Sequence, residues 1–442
     1  MELSIQQRFD AATQCEQLRQ ALVGPCSLIK YLHKVRSVAG SMRIFNYSCV
    51  LNSTRLFLGD DIPGATGAAG LTEASAMLAA IGEAAERYCA AYIPWQILVK
   101  GSARQLGAEA IGIDQFGLYL PEQYQENFPC MPYSADTQLY WVKGRSLLNQ
   151  QSRLIPAPLI YIPYHYQDKT AKTDFVSLAV SSGTACHSDR QQLRLNGIYE
   201  VIERDAFMIT WMRKIQQSRL RWMDDATMWA LYQQHYAGSG VQFHLFDITL
   251  DLQIPTVLCL AESVLRPGRV VVAGCATRAS YREAATKAML EAAQCMTWAQ
   301  YLVVQHQDWE PAVDYANVQT FQHHVMTYLR PQMLHELDFL LKTPYEKAWP
   351  QESQTDLNHC YQQVLALLAS QQIDVIEVEL TTPEIADVGL SVAKLVLPGL
   401  VQINGDHRYP PLANPRFDSV PAKLGLAERC QAYRNPAPHP FP

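Results

Sequence analysis

The chain has no C-x-x-C pair, no run of lysine or arginine, and no apolar stretch approaching the length of a membrane span. Cysteine itself is not scarce, but eleven residues, odd in number and irregular in spacing, fit free and mostly buried thiols better than a disulfide framework. Without a basic run, a chain of net charge -6 offers no electrostatic groove to nucleic acid. The N-terminal residues lack both a basic n-region and an apolar h-region, so the expectation is a soluble, cytoplasmic protein with neither nucleic acid nor membrane as partner. The glycine-rich stretch Gly64-Ala65-Thr66-Gly67-Ala68-Ala69-Gly70 matches neither the P-loop nor the G-x-G-x-x-G fingerprint. What remains is a chain of 442 residues, 48% apolar and 18% charged, able to bury one large core or two smaller ones.

Acidic side chains recur at helical spacing. In residues 183–213, Ser188 with Gln191 has the S-x-x-Q form of a capping box and predicts a helix opening near Asp189. Leu195, Ile198, Ile202 and Phe207 then make an apolar stripe, Asn196, Glu200 and Glu203 fall on another face, and Arg204 stands four residues after Glu200. Glu83-Ala84-Ala85-Glu86-Arg87 repeats the same E-x-x-E-R spelling in the alanine-rich run 73–93. A third helix, opened by Ser280 and Glu283, presents Lys287 and Glu291 four residues apart.

One E-x-x-E-R is ordinarily a solvated face, but here two copies lie among Ile81, Tyr88, Ile198, Ile202, Phe207 and Trp211. Carboxylates crowded on facing helices repel unless cations sit between them, and hard oxygen ligands suit Mg²⁺ that also binds nucleotide phosphates. The candidate metal set is Glu83, Glu86, Glu200, Glu203 and Glu291, with Arg87, Arg204 and Lys287 as phosphate holders. A structural ion-pair network is the alternative.

Elsewhere, residues 1–40 read as helical, with Phe9, Leu18, Leu22, Ile29, Leu32 and Val35 as packing positions. Residues 43–59 read as two strands about an Asn52-Ser53 turn, and residues 64–70 as a flexible loop able to bring backbone N–H groups to phosphate. Strands are expected at 140–143, 154–163, 175–180, 241–248, 256–262, 270–274, 373–380 and 392–397, with a turn at Pro267-Gly268. Residues 308–371 are polar and mostly helical in pattern; the adjacent His323 and His324 point in different directions on a helix and carry no metal reading. Cys186 reads as a packing residue. These elements imply an α+β or mixed α/β fold around one extended sheet system. The last residues, 435–442, alternate with proline, which favours a stiff rod that loses little entropy on docking.

Taken together, EAAERYCA at Glu83, GTACHS and EVIERDA after Gly183, EAATKAMLEAAQ at Glu283, YWVKGRSL at Tyr140, the Val396-Leu397-Pro398-Gly399 segment and the final P-x-P-x-P resemble the azoline-forming branch of the YcaO superfamily. The resemblance implies an α+β YcaO-type fold, with mixed sheets and packed helices enclosing a nucleotide site. It divides the chain into an N-terminal extension (1–58), a catalytic domain (59–430, with 308–371 a helical subregion) and a proline-rich tail (431–442) reaching the active site. It further implies an ATP- and Mg²⁺-dependent cyclodehydratase, in which a Cys, Ser or Thr side chain of a ribosomal precursor peptide attacks the preceding amide. ATP then phosphorylates the oxygen, and loss of phosphate leaves a thiazoline or oxazoline. Ser188 and Asn196 join the nucleotide-binding candidates, and Pro438, Pro440 and Pro442 are the catalytic ones. The sequence departs from the pattern where relatives often carry lysine, at Ala68-Ala69, and where some carry glutamine, at Lys287. The implied partners are the precursor peptide, a leader-binding E1-like subunit and an FMN-dependent dehydrogenase. Thioamide or amidine formation, or a non-catalytic scaffold, are the competing readings.

Overall fold

The computed structural model describes residues 5–36, 41–55, 66–164, 175–265, 268–351, 356–431 and 433–442, with side chains from residue 12 onward. In chain order the strands are β1 (Ile29–Val35), β2 (Phe45–Leu51), β3 (Thr66–Gly70), β4 (Val99–Gly101), β5 (Leu139–Ser146), β6 (Ser152–Pro156) and β7 (Thr184–His187). They continue with β8 (Ser218–Leu220), β9 (Gln242–Asp247), β10 (Thr256–Val264), β11 (Arg269–Thr277), β12 (Glu346–Lys347), β13 (Ile376–Glu379) and β14 (Ser391–Val396). The helices that matter below are α1 (Ile5–Leu22), α2 (Glu73–Ala91), α3 (Arg190–Met212), α4 (Tyr281–Gln305), α5 (Phe321–Thr327) and α6 (Arg416–Lys423).

The strands form three sheets, in the orders β1-β2-β3, β11-β10-β9-β8-β12 and β4-β5-β13-β14-β7, with β6 added to β5. The expectation of one extended sheet system is corrected accordingly, while the α+β class stands. The three acidic helices are where the sequence places them. α2 is capped reciprocally by Thr72 and Ser75, and α4 by Ser280, whose hydroxyl accepts from the Glu283 amide. α3 also opens where expected, but its cap is Asp189, which accepts from the Gln192 amide at 2.8 Å; Ser188 instead accepts from Gln14.

Small residues set how closely these helices lie on the sheets. α4 presents Ala284, Ala285, Ala288, Ala292 and Ala293, all buried, toward β10 and β11. Gly274 on β11 completes the fit, since a Cβ there would run into the Ala288 and Ala292 backbone. α3 lies on β14, β7 and β11 in the same way. A Cβ on its Gly197 would stand 2.6 Å from the Leu395 side chain and 2.8 Å from the Gly183 carbonyl. Gly183 takes a left-handed φ of +84°, turning the chain under α3 just before β7. α3 is also tied down through Asp205, which accepts from the Val401 amide and bidentately from Arg416 on α6; Arg416 in turn holds Asp251.

Several local expectations give way to tertiary pairing. Residues 29–35 are strand β1, not helix, because Ile-Lys-Tyr-Leu-His-Lys-Val pairs with β2; Leu18, Leu22 and Ile29 are buried, whereas Val35 is exposed. Phe9 and all of 56–65 lie outside the described side chains and residues, and so do residues 56–59 of the expected second strand. Residues 66–70 are strand β3 paired with β2, not a flexible loop. Residues 175–180 form no strand although Val176 is buried; the strand there is β7. Pro267 of the expected turn is outside the described residues. The region 308–371 holds short helices, the 3-10 segment Pro331–Leu337 and the edge strand β12. All eleven cysteines are free, and no described helix is long and apolar enough to cross a membrane.

The close approach at Gly197 yields a direct test. Gly197→Ala should lower stability by about 1–3 kcal/mol in chemical denaturation through overpacking against β14. A shortened partner, Leu395→Ala, should make the added methyl less costly in the double variant.

Candidate active site

The carboxylates of α2, α3 and α4 converge. Glu86 is close enough to Glu83 and Glu200, and Glu203 to Glu200 and Glu291, for each pair to repel. Each carboxylate has a neighbour that holds it. Glu83 accepts from the Gly67 amide at 3.2 Å and faces Arg87 at 3.5 Å. Glu86 accepts from the Cys186 amide at 2.8 Å, and Glu200 from the Gly183 amide at 3.2 Å. Lys287 pairs with Glu291 at 3.1 Å. The strand that replaces the expected phosphate loop therefore serves the site by presenting the Gly67 N–H to a carboxylate.

Desolvation is the dominant cause of the acid shifts. It raises Glu83 above the ordinary carboxylate range against the pull of Arg87, and raises Glu86 well above it with Glu200 and Glu83 adding repulsion. Glu203, buried at 5% exposure, is pushed up to about 8, chiefly by desolvation, against the attraction of Arg204. Carboxylates that repel one another and are pushed toward protonation by burial fit a divalent cation, which suits hard oxygen donors and offsets both effects. Among the described residues no three such groups already close on a single point, so the donors are gathered but not caged.

Arg204 stands at the centre of the set. Its Nη2 donates to Glu200 at 3.3 Å, and Nη1 lies 3.2 Å from Glu203 outside hydrogen-bonding alignment, which leaves a buried N–H without an acceptor. Its guanidinium covers the Phe441 ring at 3.9 Å from the centroid. Ser188 is exposed at the mouth of α3, and Asn196, one turn before Glu200, is held by Gln192 at 2.9 Å. Burial pushes the Cys186 thiol up, so it stays protonated; its amide, not its sulfur, serves the site.

The C-terminal tail is docked. Asn435, Ala437, Pro438, His439, Pro440 and Phe441 are buried and Pro442 is half-buried. Trp211 donates to the Ala437 carbonyl at 3.1 Å, Tyr328 to that of Pro438 at 2.5 Å and His324 Nδ1 to that of His439 at 2.9 Å. His439 stacks on His324 at 3.8 Å between centroids, while its Nε2 donates to the Asn404 carbonyl and its Nδ1 accepts from the Phe441 amide. That arrangement needs the neutral ring, and burial accordingly pulls His439 down to about 3.

Sequence reading missed His324 as a docking residue for the tail, Arg278 as a cation facing Glu203, and Lys394. Only Lys394 carried a local signal, a charge in the middle of an apolar strand.

A family model described as YcaO cyclodehydratase, ATP- and Mg²⁺-binding, matches residues 67–401. An uncharacterized protein of Methanothermobacter thermautotrophicus is 25% identical over 228 residues, which covers 51% of this chain and 55% of that protein. Among solved structures, a heterocyclase in complex with substrate and cofactor superposes with a TM-score of 0.76 at 19% identity, over 97% of this chain and 57% of that one. The YcaO protein of Methanopyrus kandleri, bound with AMPPCP and Mg²⁺, gives 0.61 at 16% identity, over 90% of this chain and 92% of that one. The chain thus spans a little over half the length of the first two, and the structural likenesses show a shared fold. With the family match running from β3 past β14 and through all three acidic helices, the chain belongs to the YcaO family.

Proposed function

We propose that the chain is an ATP- and Mg²⁺-dependent cyclodehydratase that converts Cys, Ser or Thr of a ribosomal precursor peptide to thiazoline or oxazoline. The observation that carries this reading is the meeting at Arg204 of the acidic set with the docked C-terminus. Mg²⁺-ATP supplies the phosphoryl group that turns a poor leaving group, the amide oxygen, into a good one. Glu83, Glu86, Glu200, Glu203 and Glu291 would hold the metal, and the unpaired N–H of Arg204 is a donor for phosphate oxygen, with Arg87 and Lys287 beside the set. Pro438 and Pro440 are buried, and in this reading the Pro442 carboxylate accepts the proton released during ring closure.

Substrate delivery falls to a further unit in this reading. We assign it to a leader-binding E1-like subunit, and any later oxidation to an FMN-dependent dehydrogenase.

Three outcomes follow. The folded state of Glu203 holds its proton up to about pH 8, far above the unfolded value near ~4.3, so the stability it contributes is lost as pH rises through that window. Glu203→Gln should therefore melt higher than wild type at pH 8 while ring formation, read as loss of one water per ring by mass spectrometry, disappears; normal turnover would contradict the assignment. Appending one glycine after Pro442 moves the terminal carboxylate without removing buried side chains. It should slow cyclisation about 100-fold while titration with AMPPCP and Mg²⁺ is unchanged, and an unchanged rate would remove the terminus from the chemistry. Finally, His439 is depressed to about 3, so docking is fully present above its free value near ~6.5 and weakens as pH falls toward 3. Hydrogen exchange at the Phe441 amide, corrected for intrinsic rate, should rise between pH 7 and pH 5 as the tail loosens.

A further inference from the structure

Lys394 lies in the middle of β14, between the buried Ala393 and Leu395, and is itself 5% exposed. Its Nζ donates to the Val180 carbonyl at 2.6 Å and has no ion pair among the described residues. Glu200 attracts it and Arg87 repels it, both from beyond contact. An ammonium has three donors, and burying one with a single carbonyl acceptor is expensive and unneeded for a strand that apolar side chains already hold. The fold could carry methionine here at less cost.

What the lysine faces explains its presence. A recess of about 40 Å³ is bounded by Lys394, Arg204, Ser182 and Gln402, with Val180 and Val401 among its apolar walls. That is room for a few water-sized groups, enough for a carbonyl and its neighbours and too small for a nucleotide. Arg204 joins this recess to the acidic set on one side and to the tail, through Phe441, on another.

We propose that Lys394 is a substrate-contacting residue of this site, its ammonium donating to the oxygen of the peptide amide that the ring-forming side chain attacks. The inference rests on the cyclodehydratase reading and adds the group that meets the developing oxyanion. The attacking sulfur or oxygen bonds to the amide carbon, its proton passes to the Pro442 carboxylate, and the carbonyl π pair moves onto oxygen. Lys394 donates a hydrogen bond to that oxygen and keeps its proton. The oxygen then bonds to the γ-phosphorus of ATP as ADP departs; the carbon–oxygen bond breaks with phosphate as leaving group, and the amide nitrogen gives its proton to that phosphate as the C=N bond forms. Burial pulls Lys394 down to about 7, so its charge is weakly held by the protein alone and is strengthened by a partner gathering negative charge.

The test uses the full chain with its precursor peptide and leader-binding partner, comparing wild type, Lys394→Met and Lys394→Gln. Lys394→Met should melt at or above wild type and bind AMPPCP with Mg²⁺ as wild type does, yet form rings about 100-fold more slowly, with the loss in kcat and not in peptide KM. Lys394→Gln, which keeps a neutral donor, should recover part of the rate. Wild-type turnover in Lys394→Met overturns the inference, as does a lowered melting temperature in both variants, which would make the lysine structural. Loss of AMPPCP binding would move it to the nucleotide and overturn the inference as well. If the wild-type protein closes no ring, the cyclodehydratase reading itself falls; if it does and Lys394→Met keeps pace, only the role of Lys394 falls.

Discussion

The guanidinium of Arg204 is the cation on which the rest of the site depends. It is planar, permanently charged and weakly hydrated, so it can be buried where an ammonium would be costly to desolvate. Two glutamates of its own helix approach it within 3.3 Å and an aromatic ring lies under it. Those contacts offset its own desolvation, and in return it offsets the charge of Glu200 and Glu203, with Glu291 of α4 also in its field. The same group therefore stabilises the acidic cluster and anchors the end of the chain.

Placing one side chain so firmly requires the helix beneath it to be fixed in height, rotation and depth. Depth comes from Gly197, which lets α3 sink onto Leu395 of β14. Rotation and height come from Asp205, the next residue after Arg204, whose carboxylate is taken up by Arg416 and the Val401 amide. Successive helix residues point about 100° apart, so the triplet Glu203-Arg204-Asp205 sends two members to the site and one to its mooring. The farther end of α3 contributes Trp211, which binds the tail at Ala437. One helix thus supplies acid, cation, anchor and docking surface in under two turns on either side of Arg204.

What could be read from the sequence follows from how local each signal is. The doubled E-x-x-E-R and the cap at Ser280 lie within a few residues of the helices they mark, and all three helices are where spacing places them. Ser188 reads as the cap in place of Asp189 because either side chain can satisfy a first-turn N–H, and only the backbone decides which one does. β1 and β3 were missed because their character comes from partners: Ile29–Val35 has helix-tolerant residues between its β-branched ends, and Thr66–Gly70 has almost no side chain to read. Convergence of Glu86 on the Cys186 amide joins residues a hundred positions apart. No local pattern encodes such a contact, and the stacking of His324 on His439 was out of reach for the same reason.

The composition of the tail explains how an irregular segment can be buried at all. Backbone outside helices and sheets ordinarily stays at the surface because its N–H and C=O groups need water. Here proline at 436, 438, 440 and 442 removes the N–H at every second position. The amides of Ala437 and Phe441 bond to the side chains of Asn435 and His439 just before them. Four successive carbonyls, from Pro436 to His439, accept from His407, Trp211, Tyr328 and His324. The segment therefore needs no strand partner, and side chains from several elements fix its carbonyls from Pro436 to His439. Ordinary residues in place of the prolines would bring unpaired donors into a dry channel and loosen the whole segment. Alternation with proline is thus what allows an irregular segment to be buried against α3, with the Phe441 ring under Arg204.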